Sequence, residues 1–165
     1  MNRKAGDEGK QVFDATPYLK LFIDKDGRWF QNGKEIIHTA IYRQFCSMLE
    51  KTPEGGYQVR MGREVCGVEA EDAPFVVKGI EDEGDGSLHV RLNDGTTEPF
   101  DPEGFWMGKD NIPYCRIRNG SLHARFSRPA YYQIARHISS DPEGKEFFLE
   151  LNGRRTPVKE DAAPE

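Results

Sequence analysis

The stretch Tyr114-Cys115-Arg116-Ile117-Arg118-Asn119-Gly120-Ser121-Leu122-His123-Ala124-Arg125-Phe126-Ser127-Arg128 holds four arginines, one histidine and no carboxylate, in a chain whose net charge is -5. Asn119-Gly120 is the signature of a two-residue type I′ hairpin turn, because both central positions need a positive φ. The turn sets the cross-strand pairs: Arg118 with Ser121, Ile117 with Leu122, Arg116 with His123, Cys115 with Ala124, and Tyr114 with Arg125. Alternation then sends Cys115, Ile117, Leu122, Ala124 and Phe126 to one apolar face, and Tyr114, Arg116, Arg118, His123 and Arg125 to the other. The cations form a single panel. Arg128 follows in the first turn of a helix, where Ser127 is a natural N-cap and Pro129 lies where a missing N–H costs little. The free N–H groups of such a helix start favour an anion.

Like charges across a hairpin repel, so something must offset them. One answer is structural: Glu69, Glu71, Asp72 or the acidic loop Glu81 to Asp85 pairs with the arginines. The other is a bound anion, since bidentate guanidinium recognition suits phosphate. The sequence leaves both open.

Outward from this hairpin, the chain reads as a second version of an earlier segment. LFIDKDGRWFQNGKEII carries Asp26-Gly27, which suits a three-residue loop, and Asn32-Gly33, which suits a two-residue turn. A three-strand meander results, with Leu21, Ile23, Trp29 and Ile36 able to share one face. A helix follows at about Thr39 to Lys51, capped by Thr39, with Ile41, Phe45, Met48 and Leu49 at helical spacing. In the later segment the helix runs from about Arg128 to Ser139, with Ala130, Tyr131, Ile134, Ala135 and Ile138 on its apolar face. Gln44 matches Gln133, Leu49 matches Ile138, Pro53-Glu54-Gly55 matches Pro142-Glu143-Gly144, and YQVRM matches FFLEL. Each copy is hairpin, helix, strand. Between them, YQVRM and EVCGVEA form a hairpin around Gly62-Arg63, and FVVKGI, SLHVRL and TEPF are three more strands separated by acidic, Gly-rich turns.

The totals fit this reading. With 165 residues the chain is long enough for one domain or two small lobes. Ile, Leu, Val and Phe together make 35 residues, which permits a compact but thin core, and seventeen Gly with ten Pro favour short strands over long helices. Charge is segregated. Glu69 to Asp110 carries twelve acids and three bases, whereas Ile112 to Ile138 carries five arginines and no acid. An acidic total argues against nucleic-acid binding, which depends on a broad basic surface. A local basic panel is compatible with a small anionic ligand. Cys46, Cys66 and Cys115 are few, odd in number and far apart, which points to reduced thiols and a cytoplasmic location. The N-terminus lacks an apolar h-region and no run reaches the ~18 apolar residues of a membrane span, so no membrane partner is expected.

Other chemistry is weakly signalled. His38, His89, His123 and His137 show no metal-ligand spacing, and neither GxSxG, GxGxxG nor a P-loop occurs. Glu69, Glu71 and Asp72 could share a divalent ion, but a charged turn at Asp72-Ala73-Pro74 is the commoner reading. Trp29 and Phe75 could stack on a base, although aromatics in hairpins are usually core.

DGRWFQNGKEI, VEAEDAPFVV and YCRIRNGSLHARFSRPAYYQI together resemble the signatures of domain-of-unknown-function family 1285, from about Asp14 to Val158. The resemblance implies two lobes built on a duplicated motif, with a C-terminal lobe superficially like a pleckstrin-homology barrel. It also implies a ligand site at the lobe interface for a nucleotide-like molecule, and a role in signalling or stress response. Matching positions are Asp72, Pro74, Phe75, Arg118, Arg125 and Arg128. Two departures are Met61-Gly62-Arg63, where the family often has Thr-Pro ahead of the residue matching Glu64, and Arg154-Arg155, where it tends to have aromatics.

The expectation is therefore an α+β protein: a tail at 1–13, an N-terminal α+β lobe at 14–70, a C-terminal β-rich lobe with one helix at 71–158, and a tail at 159–165. It is a non-enzymatic ligand-binding or regulatory protein without cofactor. Arg118, Arg125 and Arg128 clamp an anionic, nucleotide-like ligand, with Arg116, His123 and Tyr114 at the rim and Asp72 and Phe75 contributing. The alternative is a protein-interaction module whose arginine panel is salt-bridged internally.

Overall fold

The structure, a computed structural model, describes residues 11–160. It is β-rich with two helices and divides into two compact units, with the main break between Ala70 and Glu71 and the loop Asp24–Gly27 counted with the second unit.

In the first unit the strands are β1 (Phe13–Asp14), β2 (Leu21–Ile23), β3 (Trp29–Gln31) and β4 (Lys34–Glu35), then helix α1 (Thr39–Met48), then β5 (Leu49–Lys51), β6 (Tyr57–Met61) and β7 (Glu64–Ala70). They form one seven-stranded sheet in the order β4-β3-β2-β7-β6-β5, with β1 also on β7. The Asn32-Gly33 turn forms as expected, with both φ positive and Gln31 opposite Lys34. Gly62-Arg63 likewise joins Met61 to Glu64. Leu21, Ile23, Trp29, Val59 and Cys66 are buried together with Leu49, and Phe45 of α1 stacks on Trp29 at 5.6 Å between ring centroids.

Several local expectations need correction. The turn at Asp26-Gly27 is longer than three residues, because Ile23 already pairs with Trp29. Helix α1 is capped by His38, whose Nδ1 accepts from the Ile41 N–H at 3.5 Å, and it stops at Met48. Leu49 turns extended and pairs with Val59, which buries its side chain and satisfies its backbone in a ladder. Ile41 is 44% exposed rather than part of the packed face. Phe13, expected in the N-terminal tail, pairs in parallel with Glu64.

In the second unit the elements are β8 (Phe75–Asp82), β9 (Leu88–Leu92), β10 (Thr97–Pro99), β11 (Phe105–Met107), β12 (Pro113–Ile117) and β13 (Leu122–Phe126). Helix α2 (Arg128–Ala135) follows, then β14 (Ile138–Ser140), β15 (Phe147–Leu151), β16 (Arg154–Pro157) and β17 (Lys159–Glu160). A seven-stranded sheet runs β10-β9-β8-β13-β12-β11-β17, and β14-β15-β16 form a small one. Phe75, Phe105, Ile117, Ile134 and Leu149 are fully buried, and Phe105 meets Phe126 edge-on at 5.6 Å. Helix α2 also docks through a polar contact, since Gln133 Oε1 accepts from the Ile80 N–H at 2.7 Å.

Here too the helix is shorter than the sequence implies. It ends at Ala135, and Ile138 pairs with Leu149 as the first residue of a strand. Lys159 and Glu160, expected in a tail, pair in parallel with Trp106 and Met107. Residues 161–165 and most of the N-terminal tail lie outside the described residues. Among those described, no helix is long and apolar enough to cross a membrane, and all three cysteines are free and buried.

Candidate functional site

The panel hairpin forms in the register read from Asn119-Gly120. Tyr114 faces Arg125, Cys115 faces Ala124, Arg116 faces His123 and Ile117 faces Leu122. Its apolar face is buried throughout, from Cys115 and Ala124 at 0% exposure to Leu122 at 7%. Burial also pushes the Cys115 thiol strongly up, so it is inert as a nucleophile. The opposite face carries the cations, but it is not one continuous array.

Arg118 leaves the strand. Its φ is +52, as are those of Asn119 (+55) and Gly120 (+84), and the Ser121 N–H closes the turn on the Arg118 carbonyl at 3.1 Å. A left-handed arginine costs roughly 1–2 kcal/mol. That cost is offset by a charge-assisted bond from its N–H to Glu98 Oε1 at 2.8 Å. Its side chain is thereby turned toward β9 and β10. Nη2 donates to Asp94 Oδ2 at 2.9 Å and to Thr96 Oγ1 at 3.3 Å, and Nε lies 3.9 Å from Glu98 Oε2. The guanidinium also sits over the Phe75 ring, 5.2 Å from its centroid. Asp94 is 4% exposed in its side chain, and its other oxygen accepts from the Thr96 N–H and hydroxyl. Asp94 is thus buried with both oxygens bonded, while the Arg118 side chain remains one-third exposed.

Arg125 belongs to a second cluster. Its Nη1 donates to Asp72 Oδ2 at 2.8 Å, and the Tyr114 hydroxyl donates to the same oxygen at 2.8 Å. Burial, with the Asp72 carboxylate beside it, pushes the Tyr114 phenol up to about 12. The Tyr114 ring stacks on Trp106 at 5.5 Å, and His123 packs against both.

The structure thus places the eight site residues in three groups. Arg118 and Phe75 belong to the Asp94–Glu98 cluster, and Arg125, Tyr114, Asp72 and His123 to the Trp106 cluster. Arg116 and Arg128 are exposed and make no ion pair among the described residues. Phe75 is 0% exposed and lies in the core beneath the Arg118 guanidinium. Asp72 is already engaged by two donors. Of the acids expected to neutralise the panel, only Asp72 pairs with it among the described residues. Glu71 accepts from the Lys25 N–H, Glu81 pairs with Arg91, and Glu83 lies near His89. Asp94 and Glu98 were not legible as partners, because no local signal ties an acid to an arginine twenty or more residues later. Among the described residues no cluster of metal-ligating side chains converges.

Beside the turn lies a cavity of about 670 Å³, lined by Glu98, Pro99, Asp101, Arg116, Arg118 and Asn119 among others. Glu98 is bound to Arg118, and Asp101 Oδ1 accepts from the Glu103 N–H at 3.0 Å at the start of a short helical turn. Both acids are internally engaged, while the Arg116 guanidinium has no ion-pair or hydrogen-bond partner among the described residues.

The fold is similar to two solved structures. A DUF1285 family protein from Silicibacter pomeroyi DSS-3 aligns with a TM-score of 0.70 and 27% identity, over 86% of this chain and 80% of that one. A DUF1285 family protein from Shewanella baltica OS155 aligns with a TM-score of 0.63 and 21% identity, over 73% of this chain and 94% of that one. The first likeness is in keeping with the family resemblance carried by the sequence motifs, and the second shows a shared fold. No family model and no curated protein matches the sequence.

Proposed function

We propose that this is a non-enzymatic, regulatory ligand-binding protein whose second unit takes a small anionic ligand in the cavity beside the Asn119-Gly120 turn. The observation that carries this reading is the pairing of one locked and one free guanidinium on the same cavity. Arg118 is held by Asp94, Glu98 and Phe75, so little side-chain entropy is lost when it binds. Arg116 is exposed and has no carboxylate partner of its own, so an anion would complete it. Arg125 in this account is a structural cation that holds Asp72 and Tyr114. Arg128 stays at the helix start as a more distant attractive charge.

The cavity's formal charge also limits the ligand. Arg116 and Arg118 are balanced by Glu98 and Asp101. That balance favours a ligand with one phosphate or carboxylate and some N–H donors, and disfavours a polyphosphate. A nucleoside monophosphate is the nearest nucleotide-like match. In a thermal-shift screen, such a ligand at a hundred times its dissociation constant adds about 2.7 kcal/mol and raises the midpoint by several degrees. Triphosphates should shift it less. A midpoint that rises most with triphosphates would contradict the charge argument, and turnover of any phosphorylated compound would contradict the non-enzymatic reading.

The alternative, an interaction module with an internally paired panel, draws on different observations. Arg118 and Arg125 are both in carboxylate pairs, and in the first unit Ile37 is 83% and Ile41 44% exposed at the entry to α1. Under that reading no anion shifts the midpoint, and Ile37→Asp abolishes partner capture.

We propose further that the two units carry a duplicated hairpin-helix-strand element. Leu49 and Ile138, matched by sequence, follow α1 and α2 as strand residues, and they pair with Val59 and Leu149, which are also matched. Two-residue turns then follow at Gly62-Arg63 and Asn152-Gly153. The seven-stranded sheet of the second unit, with α2 beside β8, is in keeping with the pleckstrin-homology likeness implied by the family resemblance.

A further inference from the structure

A second cavity, of about 700 Å³, opens in the second unit on elements that the arginine panel does not supply. One side of it is apolar and aromatic, with Met107 at the end of β11, Tyr131 on α2, Ile138 at the start of β14, Phe147 on β15, and Val158, and the rest is polar, from Lys109, Asp110, Asn111, Ser139, Ser140 and Glu160. Phe147 is 43% exposed, an unusual state for a phenylalanine with a sheet on which to pack. Concave apolar walls with a few polar groups at the rim are the general form of a small-molecule site.

The rim is built with strain. Asp110 and Asn111 are consecutive non-glycine residues in the left-handed region, at φ +58 and +56. Asp and Asn tolerate that conformation best, but two in succession persist only where the surroundings hold them. Two contacts do so. The Gly108 N–H bonds to the Ile112 carbonyl at 2.7 Å and closes the loop. Gly108 also packs flat on Tyr114, so that a Cβ there would lie 2.5 Å from the ring. Tyr114 is in turn fixed by Asp72, which Arg125 holds. The ion pair of Arg125 thereby supports the wall of this cavity, although no panel residue lines it.

The charge at the rim has a definite sign. Asp110, Glu160 and Lys109 line the cavity, and none of the three is in an ion pair among the described residues. Two carboxylates against one ammonium leave an excess negative charge, and the faces of Tyr131 and Phe147 attract a cation further. We propose that this cavity is a second binding site, for a small hydrophobic monoamine. Its apolar body lies against Met107, Ile138 and Phe147, and its ammonium group meets Asp110 and Glu160. The proposal is independent of the anion site, because the two cavities share no lining residue.

The test is an amide-resolved NMR titration of the full chain with phenethylamine, and with phenylpropionate as the matched acid. Saturable shifts confined to Lys109–Asn111, Ile138–Ser140 and Phe147 are expected with the amine and not with the acid at the same concentration. The double variant Asp110→Asn, Glu160→Gln keeps a residue suited to positive φ at 110 and should weaken amine binding at least tenfold. Arg116→Ala should leave it unchanged. Shifts that lie elsewhere, acid binding as tight as amine binding, or an affinity unaltered in the double variant would each overturn the assignment.

Discussion

Arg116 and Arg118 are two residues apart and chemically identical, yet they have opposite roles. Arg118 neutralises a carboxylate that is almost fully buried, so Arg118→Ala strands Asp94 and should destabilise the protein by about 2 kcal/mol; the partial exposure of the arginine keeps the loss below that of a fully buried pair. Arg116 is exposed and has no ion-pair partner among the described residues, so Arg116→Ala should stay within about 0.5 kcal/mol of wild type. Urea denaturation of the two variants measures both. A loss of binding in Arg118→Ala therefore cannot separate a ligand contact from a weakened fold, whereas Arg116→Ala can. Tyr114 gives a pH signature. Its phenol is raised from 10.0 to about 12 in the folded protein. The folded state thus holds this proton more tightly than the unfolded chain does, and the stabilisation is complete below pH 10. It is lost as pH rises from 10 to 12. Stability measured across that window should fall more steeply in wild type than in Tyr114→Phe. Equal slopes would mean that Tyr114 is not the group responsible.

At the scale of elements, the turns were legible and the helix ends were not. Asn32-Gly33, Gly62-Arg63 and Asn119-Gly120 each set the register of the strands they join, because a two-residue turn leaves one way to pair them. Both helices continue in sequence as apolar patterns that suit either a helix or a strand. Leu49 and Ile138 become strand residues only because Val59 and Leu149 offer a ladder, and such partners lie beyond any local window. The parallel pairs β2 with β7 and β8 with β13 were hidden for the same reason. Gly108 was equally invisible, since its φ of -87 is ordinary and only the Tyr114 ring explains it. Gly108→Ala should cost about 1–3 kcal/mol through that clash and should broaden the amide signals of Lys109–Asn111. A variant as stable as wild type would show that the loop is not held by Tyr114.

For the whole molecule, the segregated charge finds its explanation within the second unit. The acidic segment supplies Asp72, Asp94 and Glu98, and the basic segment supplies Arg118 and Arg125, so the two arginines that reach into the fold are neutralised in ion pairs. The sequence allowed that outcome without naming the partners, and the panel's common face was legible where its division into clusters was not. Among the described residues, Arg116, Arg128 and Arg136 have no such pair, and of these only Arg116 lies on the cavity beside a preorganised Arg118. The most direct measurement is a calorimetric titration of a nucleoside monophosphate into wild type and Arg116→Ala under identical salt. The account predicts saturable one-to-one binding to wild type that weakens at least tenfold in Arg116→Ala while the variant's melting temperature is unchanged. Equal affinity in the two proteins, or no heat with either, would contradict it and leave the panel as structure alone.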